Sequence, residues 1–525
     1  MLRSRLKYFV LPVTAVVAVA CASASNTSAP KASRTQAAAA EDPAHGLKVV
    51  SAPAQEGVEH LKFKYGPIKI QPGQNNIVIS GTDVPKPSVD GYIVAIHPNL
   101  VRNDGSVPPV DVIHLHHGVW VNMGRGGDLY SNLFFASGEE KTQMILPKGY
   151  GYTYKASEPW LINYMLHNLL STPDEVSIVY DMDFIPASSP GAAKITPAWP
   201  IWMDVQKGHI YPVFDVLKGS GTNGTFTYPD QADHPYKRRQ LNQWTADRDT
   251  VLIATAGHLH PGGLHVDLFD TRAGAQATAA AKPSINGDKA HIFRSDAIYY
   301  EPAGAVSWDV SMTATPPDWR VAVKKGDTLS ISVTYDTVRA SWYESMGIAV
   351  IWATDGTAGT DPFTARVDAG KPVLTHGHLP ENNNHGGQPA PKQYTDVSKL
   401  PSGPVTDKVT IADFTFAPGD IGGIYSQVPV VKAGQTLQFF NNDAPRGNGI
   451  WHTITSCKAP CDRSTGVAYP LADGNVQFDS GELGVAGPPT AGRLDWTVPT
   501  NLPTGTYTYF CRIHPSMRGA FRVAA

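Results

Sequence analysis

The sequence predicts an all-β protein built from β-sandwiches. Short runs that alternate apolar and polar residues recur along the chain, among them KVTIADFTF, VPVVKAGQTLQFF and RVAVKKGDTLSISVTYD. Apolar residues at the spacing of an amphipathic helix are scarce. The chain also contains 48 glycines and 43 prolines, which separate the alternating runs as turns separate strands. These three observations together favour β-sandwiches over a helical fold.

The length of 525 residues suffices for about three domains of ~150 residues each. Changes in composition give the boundaries. The predicted segments are an export signal at 1–24, a low-complexity tether at 25–45, a first sandwich at 46–200, a second sandwich at 201–372, a His-, Asn-, Pro- and Gly-rich linker at 373–404 and a third, compact β domain at 405–525.

The N-terminus predicts export from the cell. Basic residues within 3–7 precede the apolar stretch 8–20, which is too short to span a bilayer. Two processing routes stay open: cleavage after the A-x-A sequence at 22–24, or lipidation of Cys21 in the lipobox-like AVAC. We therefore expect a secreted, periplasmic or cell-surface protein that contacts a membrane only through an N-terminal lipid.

Charge excludes one class of partner. The net charge is −3 and the sequence has no basic run, which argues against nucleic-acid binding.

The cysteines isolate one thiol near the C-terminus. Three residues separate Cys457 from Cys461 in a proline-containing loop, so a local disulfide is the expected state in an oxidising compartment. Cys21 is either lipidated or removed with the signal. Cys511 therefore remains alone, as an intermolecular bridge, a buried inert residue or a metal ligand.

The neighbours of Cys511 favour the metal ligand. The run YTYFCRIHPSMRGAFRV places Cys511, His514 and Met517 within seven residues, where a strand ends in a proline-containing loop. His452 is the only other histidine of the predicted third domain. One thiolate, two imidazoles and a thioether are the donor set of an electron-transfer copper site, and the methionine argues against zinc.

With these motifs the third domain resembles the cupredoxins of the plastocyanin and amicyanin type. The C-x-x-H-x-x-M loop is closest to that of amicyanin. The resemblance implies a Greek-key β-sandwich with one type 1 copper, held by His452, Cys511, His514 and Met517 and reduced by an external electron donor.

Two histidine-rich runs mark the central blocks. They are DVIHLHHGVW, with His114, His116 and His117, and GHLHPGGLHVDLFD, with His258, His260 and His265. On a strand, His258 and His260 share a face, whereas the adjacent His116 and His117 require a bulge, a strand end or separate roles. We expect no acidic ligands near these histidines, which favours copper over calcium or magnesium.

These runs resemble the copper type II monooxygenases, the family of peptidylglycine α-hydroxylating and dopamine β-monooxygenases. The resemblance spans roughly residues 60–356 and implies two jelly-roll-like sandwiches that each hold one copper across a solvent-filled cleft. It implies an electron-transfer copper on His116, His117 and His167. It also implies a catalytic copper on His258, His260 and Met346, where dioxygen is activated to oxidise a small molecule.

The chain differs from this family at positions that bear on the choice of substrate. Where the peptide-binding enzyme has an arginine two residues before its H-x-H pair, this chain has Ala256, which argues against a peptidylglycine substrate. No sequence feature supports an amine substrate, so the small molecule stays unidentified. The central blocks also lack the cysteines that cross-link the animal enzymes.

Other histidines have open roles. His114 shares strand parity with His116 and becomes a ligand if the register slips, and His265 is placed to support the second site through a hydrogen bond. His376, His378 and His385 belong either to a solvated linker or to a segment that folds back over a cleft or collects copper.

Three functions compete at this point. The first is an exported copper monooxygenase fed by its own cupredoxin, and the second is a non-catalytic surface copper-binding or electron-transfer protein. The third, a multicopper oxidase or copper nitrite reductase, is disfavoured. Those enzymes place histidine beside the copper-binding cysteine, whereas Phe510 and Arg512 flank Cys511 here.

Overall fold

A computed structural model gives the structure of this protein. It describes residues 41–42, 45–74, 77–79, 83–110, 112–127, 130–170, 172–206, 212–229, 242–275, 278, 280–281, 285–300, 308–367, 370–381, 397–421, 427–444, 450–457, 476–487, 490–514 and 517–525. Cys21, Cys461 and His385 lie outside these ranges, so the predicted signal, lipidation and disulfide remain predictions.

The all-β prediction is confirmed. The described residues form strands and three short 3-10 helices at Tyr130–Asn132, Pro190–Lys194 and Val397–Lys399, with no α-helix. Within the same ranges, no helix has the length and apolar character needed to cross a membrane. The strands build three successive sandwiches, each around its own apolar core.

The first sandwich packs a sheet formed by β3, β11, β5, β8 and β9 against a sheet of order β4-β10-β6-β7. Large aromatic side chains such as Trp120, Trp160 and Tyr180 fill the space between the two sheets. The strands up to this point are β1 Glu41–Asp42, β2 Leu47–Lys48, β3 Glu59–Ile70, β4 Ile77–Ile79, β5 Gly91–Arg102, β6 Ile113–Asn122, β7 Leu133–Gly138, β8 Met144–Ile145, β9 Tyr150–Tyr154, β10 Trp160–Asn168 and β11 Asp174–Pro186.

The second sandwich follows directly. One sheet contains β12, β24, β16, β20 and β21, and the other contains β14, β15, β22, β17, β19 and β18. Its strands are β12 Thr196–Asp204, β13 Phe214–Val216, β14 Thr225–Tyr228, β15 Gln243–Thr245, β16 Thr250–Leu259, β17 Gly263–Thr271, β18 Ile285–Asn286, β19 Lys289–Tyr299, β20 Val310–Ala314, β21 Val321–Val323, β22 Thr328–Asp336, β23 Trp342–Ser345, β24 Gly347–Asp355 and β25 Val373–Leu374.

Strand β12 joins the first two sandwiches. It spans Thr196–Asp204 and so crosses the position at which the sequence suggested a boundary. It begins in parallel pairing with β9 of the first sandwich and continues in antiparallel pairing with β24 of the second. The two sandwiches are therefore connected through shared backbone hydrogen bonds.

The third sandwich contains two sheets of order β26-β29-β36-β35-β31 and β28-β27-β30-β34. Parallel pairs link β27 to β30 and β29 to β36. Its strands are β26 Ser402–Val405, β27 Lys408–Ala412, β28 Thr415–Ala417, β29 Val428–Lys432, β30 Gln438–Asn441, β31 Thr455–Cys457, β32 Ala486–Gly487, β33 Thr490–Ala491, β34 Asp495–Thr497, β35 Gly505–Phe510 and β36 Arg518–Ala524.

Candidate metal centres

The third sandwich gathers Cys511, His452 and His514 into one buried group. Their ligand atoms all lie within 4.8 Å of one another. Cys511 Sγ is 3.7 Å from His452 Nδ1 and 3.9 Å from His514 Nδ1, and the two Nδ1 atoms are 3.2 Å apart. Cys511 is a free thiol. A thiolate and two imidazoles facing one point can hold a soft metal ion such as copper.

The loop after β35 closes around this group. Cys511 N donates to Met517 O over 3.1 Å, and Met517 N donates to His514 O over 2.9 Å. These bonds turn the chain back, so Met517 is buried in the same apolar core as Cys511. The role of Met517 as a fourth ligand remains a prediction.

A carboxylate orients one of the two imidazoles. Asp443 Oδ2 lies 3.0 Å from His452 Nε2, which leaves Nδ1 directed at the thiol. Burial alone would raise the pKa of Cys511, but its hydrogen bond with His452 brings that pKa below its usual value. A carboxylate behind a ligating histidine is a recurrent feature of metal sites. The sequence analysis did not single out Asp443.

The histidines of the first sandwich lie at a β-bulge. In the pairing of β6 with β10, His117 is opposite Met165 and Leu115 is opposite Leu166, so His116 is the extra residue. Adjacent histidines on a regular strand point to opposite faces, so a bulge is needed if both are to act as ligands on one side. The bulge sends His117 toward Asn163, whose Oδ1 is 3.2 Å from His117 Nε2. It sends His116 toward the second sandwich.

A row of imidazoles, all buried except the partly exposed His258, connects the third sandwich to the second. Successive ring centroids are 6.3 Å apart from His514 to His167, 6.4 Å from His167 to His116, 4.5 Å from His116 to His260 and 5.1 Å from His260 to His258. His114 lies beside this row, 5.0 Å from His167 and stacked on Trp308 at 4.6 Å. The row joins all three sandwiches.

Three imidazoles in the middle of the row are held neutral by burial. Burial keeps the pKa of His116, His260 and His167 well below the usual range, and neighbouring imidazoles lower each of them further. Neither ring nitrogen of His167 has a hydrogen-bond partner among the described residues, although the side chain is buried. Because an unpaired buried N–H is costly, and a neutral imidazole is the form that binds metals, His167 is a strong ligand candidate.

Acidic residues lie among the histidines, which corrects the expectation that none would be near. Glu139 Oε1 is 3.4 Å from His260 Nε2, and Glu140 Oε2 is 2.9 Å from His258 Nδ1. His116, Glu139 and His260 form a second buried group whose ligand atoms lie within 4.8 Å of one another. Burial, reinforced by the charge of Glu140, raises the pKa of Glu139 well above its usual value. This group can hold a metal ion between the two sandwiches.

A buried tyrosine links the two stretches of chain that carry the ligands predicted for the second site. His258 lies on β16, His260 follows that strand, and Met346 lies between β23 and β24. The Tyr335 hydroxyl accepts from His260 N at 3.1 Å and from Met346 N at 3.0 Å, and it donates to Met346 O at 2.7 Å. It thereby fixes the two stretches that carry the predicted ligands. Met346 and His258 line one cavity together with His117.

The remaining candidate histidines lie elsewhere. His265 Nε2 is 3.3 Å from Asp267 Oδ2. His376 Nε2 is 3.0 Å from Val310 O, and His378 is bound to Asp309. The segment bearing His376 and His378 therefore folds back onto the second sandwich. Neither histidine belongs to the two metal-binding groups among the described residues.

The third sandwich is docked against the other two at its metal-binding end. A side chain at Gly73, where φ is +60°, would come within 2.9 Å of His514 Nε2 and 2.6 Å of Phe414, so the glycine permits this close approach. Arg512 donates to Ser341 O and, over 3.0 Å, to Asp479 Oδ2. Gly73 thus lies against the Nε2 edge of His514, and Arg512 joins the third sandwich to Ser341 of the second.

Comparisons with known proteins add little. No family profile matches the chain, and neither does any curated protein. Among solved structures, the chain is 14% identical to the copper-containing nitrite reductase of Thermus scotoductus SA-01, covering 52% of this chain and 55% of that one with a TM-score of 0.15. It is 10% identical to the VP2 subviral particle of infectious bursal disease virus, covering 61% and 75% with a TM-score of 0.16. At these TM-scores, neither match assigns a family or an activity.

Proposed function

We propose that this chain is an exported copper-dependent monooxygenase whose third sandwich delivers electrons to the other two. The observation that carries the proposal is the row of closely spaced imidazoles from His514 to His258. It begins at a group with the donor set of a type 1 copper site and ends at a cavity large enough for a small molecule. The sequence resemblances to cupredoxins and to copper type II monooxygenases agree with this direction of transfer.

The chain supplies ligands for copper at three places. We assign Cys511, His452, His514 and Met517 to the type 1 copper. We assign His116, His117 and His167 to one core copper, and His258, His260 and Met346 to the other. Glu139, which reaches toward both His116 and His260, is an additional oxygen donor at the core centre.

Copper bound at these places supplies one-electron transfer and reactivity toward dioxygen. The chain's own residues do the rest. Tyr335 holds the backbone of His260 and Met346 in fixed relation, and the burial of His116, His167 and His260 keeps water out of the path between the centres. In the overall reaction, one oxygen atom enters a substrate C–H bond. Two electrons and two protons reduce the other oxygen atom to water.

The electrons come from outside the chain. Because the first sandwich covers the His514 edge, an external donor must reach the type 1 copper through another face of the third sandwich. We propose a donor protein or small-molecule reductant outside the cytoplasm, with dioxygen and a small molecule as co-substrates.

Replacement of Cys511 tests this relay. Cys511→Ser removes the thiolate, so we expect loss of the blue absorption and of turnover driven by a protein electron donor. Turnover driven by ascorbate, which can reduce the core directly, should persist. Thr508→Val, a buried substitution on the strand that precedes Cys511, is the matched control and should change neither activity. Equal loss of both activities in Cys511→Ser would contradict the relay.

A second function is favoured by one observation. The rings of His116 and His260 are only 4.5 Å apart, whereas the resemblance implied a solvent-filled cleft between the two core coppers. Such a closed core is also consistent with a non-catalytic copper-binding or electron-transfer protein. That function predicts stoichiometric copper without reductant-dependent oxygen uptake, which an oxygen electrode measures.

A further inference from the structure

A cavity of about 140 Å³ lies between the facing sheets of the first two sandwiches. Strand alternation builds one of its walls, because every second residue of a strand points to the same face. Along β24 and the residue before it, this face presents Met346, Ile348, Val350 and Trp352. From the first sandwich, Val119 of β6 and Phe135 of β7 complete an apolar enclosure.

The cavity adjoins the proposed catalytic copper ligands. His117, His258 and Met346 all line it, and His258 shares its strand face with Ala254 and Ala256, which line it too. A molecule bound in the cavity would therefore contact the ligands at which dioxygen is proposed to react. The apolar residues on the other side would position the molecule.

The charges around the cavity exclude ionic ligands. No lysine or arginine is among the described residues that line it, so a carboxylate or phosphate would find no counter-charge. The two acidic residues in the lining are already engaged, Glu140 with His258 and Asp204 with Gln206 N at 2.8 Å. An ammonium group would have to compete for them.

The polar groups that remain available in the lining are neutral. The Trp202 indole N–H and the Ser137 hydroxyl are both buried and have no hydrogen-bond partner among the described residues. An indole N–H is a donor only, so it suits a single neutral oxygen or a π face on the ligand. The available polar groups of the cavity are thus few and neutral, which suits a molecule that carries no charge and at most a weakly polar group.

The volume of the cavity limits the size of the molecule that it can bind. An engineered apolar cavity of about 150 Å³ binds one benzene molecule. We propose that this cavity is a binding site for a small, neutral, mostly apolar molecule of the size of one aromatic ring. Building on the proposed function, this molecule is the one whose C–H bond is oxidised.

Binding can be measured without copper or turnover. Fluorobenzene is titrated into the full copper-free chain and followed by fluorine NMR, with 4-fluorobenzoate and 4-fluorobenzylamine as charged probes of similar size. We expect saturable binding of fluorobenzene and at least tenfold weaker binding of both charged probes, because each must be desolvated without a free counter-charge. Equal affinity for all three probes would overturn the proposal.

Two variants locate the binding site. Ala136→Leu and Ala254→Leu each add a side chain into the cavity and should abolish fluorobenzene binding. Ala156→Leu adds the same volume at a half-buried alanine of the first sandwich that does not line the cavity, and it should leave binding unchanged. The blue absorption of copper-loaded samples verifies folding. Unchanged binding in both cavity variants would also overturn the proposal.

The outcomes separate this inference from the proposed function. Fluorobenzene binding without any reductant-dependent oxygen uptake would retain the binding site and refute the monooxygenase. Conversely, oxygen uptake coupled to oxidation of a charged or much larger molecule, with no fluorobenzene binding, would retain the monooxygenase and refute the binding site.

Discussion

The Tyr335 hydroxyl gives the sharpest test of how the second predicted metal site is held together. It makes three hydrogen bonds to the backbone of His260 and Met346 and is fully buried on β22. Burial raises the pKa of Tyr335 above its usual value, so the hydroxyl stays protonated and can both donate and accept. The substitution Tyr335→Phe removes this one oxygen and keeps the ring.

The structure gives the magnitude of the effect. Without the hydroxyl, two buried N–H groups and one buried carbonyl lose a partner, and each such loss costs about 1–3 kcal/mol. Taking the lower bound for each group, we expect Tyr335→Phe to lower the free energy of unfolding by about 3 kcal/mol. For a domain of this size that corresponds to a fall in Tm of about 6–12 °C.

Two measurements check this expectation. Calorimetry of the copper-free chain gives the change in the free energy of unfolding. Copper titration gives the affinity of the core for copper, which we expect to fall about tenfold because the ligands lose their supporting hydrogen bonds. The blue absorption of the third sandwich should not change. Tyr152→Phe is the control, since that buried hydroxyl accepts one hydrogen bond from Asn122 Nδ2 at 3.2 Å and supports no candidate ligand. A Tyr335→Phe variant within about 0.5 kcal/mol of the parent would refute the reasoning.

Three other predictions concern charged groups that are buried elsewhere in the fold. Arg512→Met removes the ion-pair partner of the buried Asp479 carboxylate. It should therefore lower the free energy of unfolding by about 3–5 kcal/mol and separate the unfolding of the third sandwich from that of the core in urea titrations. Glu139→Gln should weaken copper binding by the core, whereas Glu158→Gln, whose side chain lies away from the histidines, should not. Equal copper content of the two variants by mass spectrometry would exclude Glu139 as a donor. Burial raises the pKa of Asp270 to about 8, so the folded state binds the proton more tightly than the unfolded state, and stability should fall as pH rises from about 4 to about 8. Asp270→Asn should flatten that pH profile in chemical denaturation, and an unchanged slope would contradict the assignment.

Local signals predicted much of the third sandwich and part of the core. The loop from Cys511 to Met517 is short, so its residue types and spacing already determine which side chains converge. The parity of His258 and His260 followed from the two-residue repeat of a strand. The need for a special conformation at His116 and His117 was also visible, and the structure satisfies it with a bulge.

Other parts of the site had no local signal. Glu139 and Glu140 follow β7 with nothing in their surroundings to distinguish them from surface acids, and only the packing of the second sandwich buries them against His260 and His258. In the sequence, nothing distinguishes Tyr335 from the other residues of an alternating strand. The docking of Arg512 beside Ser341 joins residues far apart in the chain, which no spacing rule predicts.

The sequence by itself determined the all-β class and the donor set around Cys511, because strand alternation and short-loop geometry depend on neighbouring residues. The tertiary structure decided that His116 meets His260, that His514 faces His167, and that β16 and β24 face the first sandwich across an apolar cavity. These contacts depend on how whole sheets pack against one another. That packing is set by the summed burial of many side chains rather than by any motif.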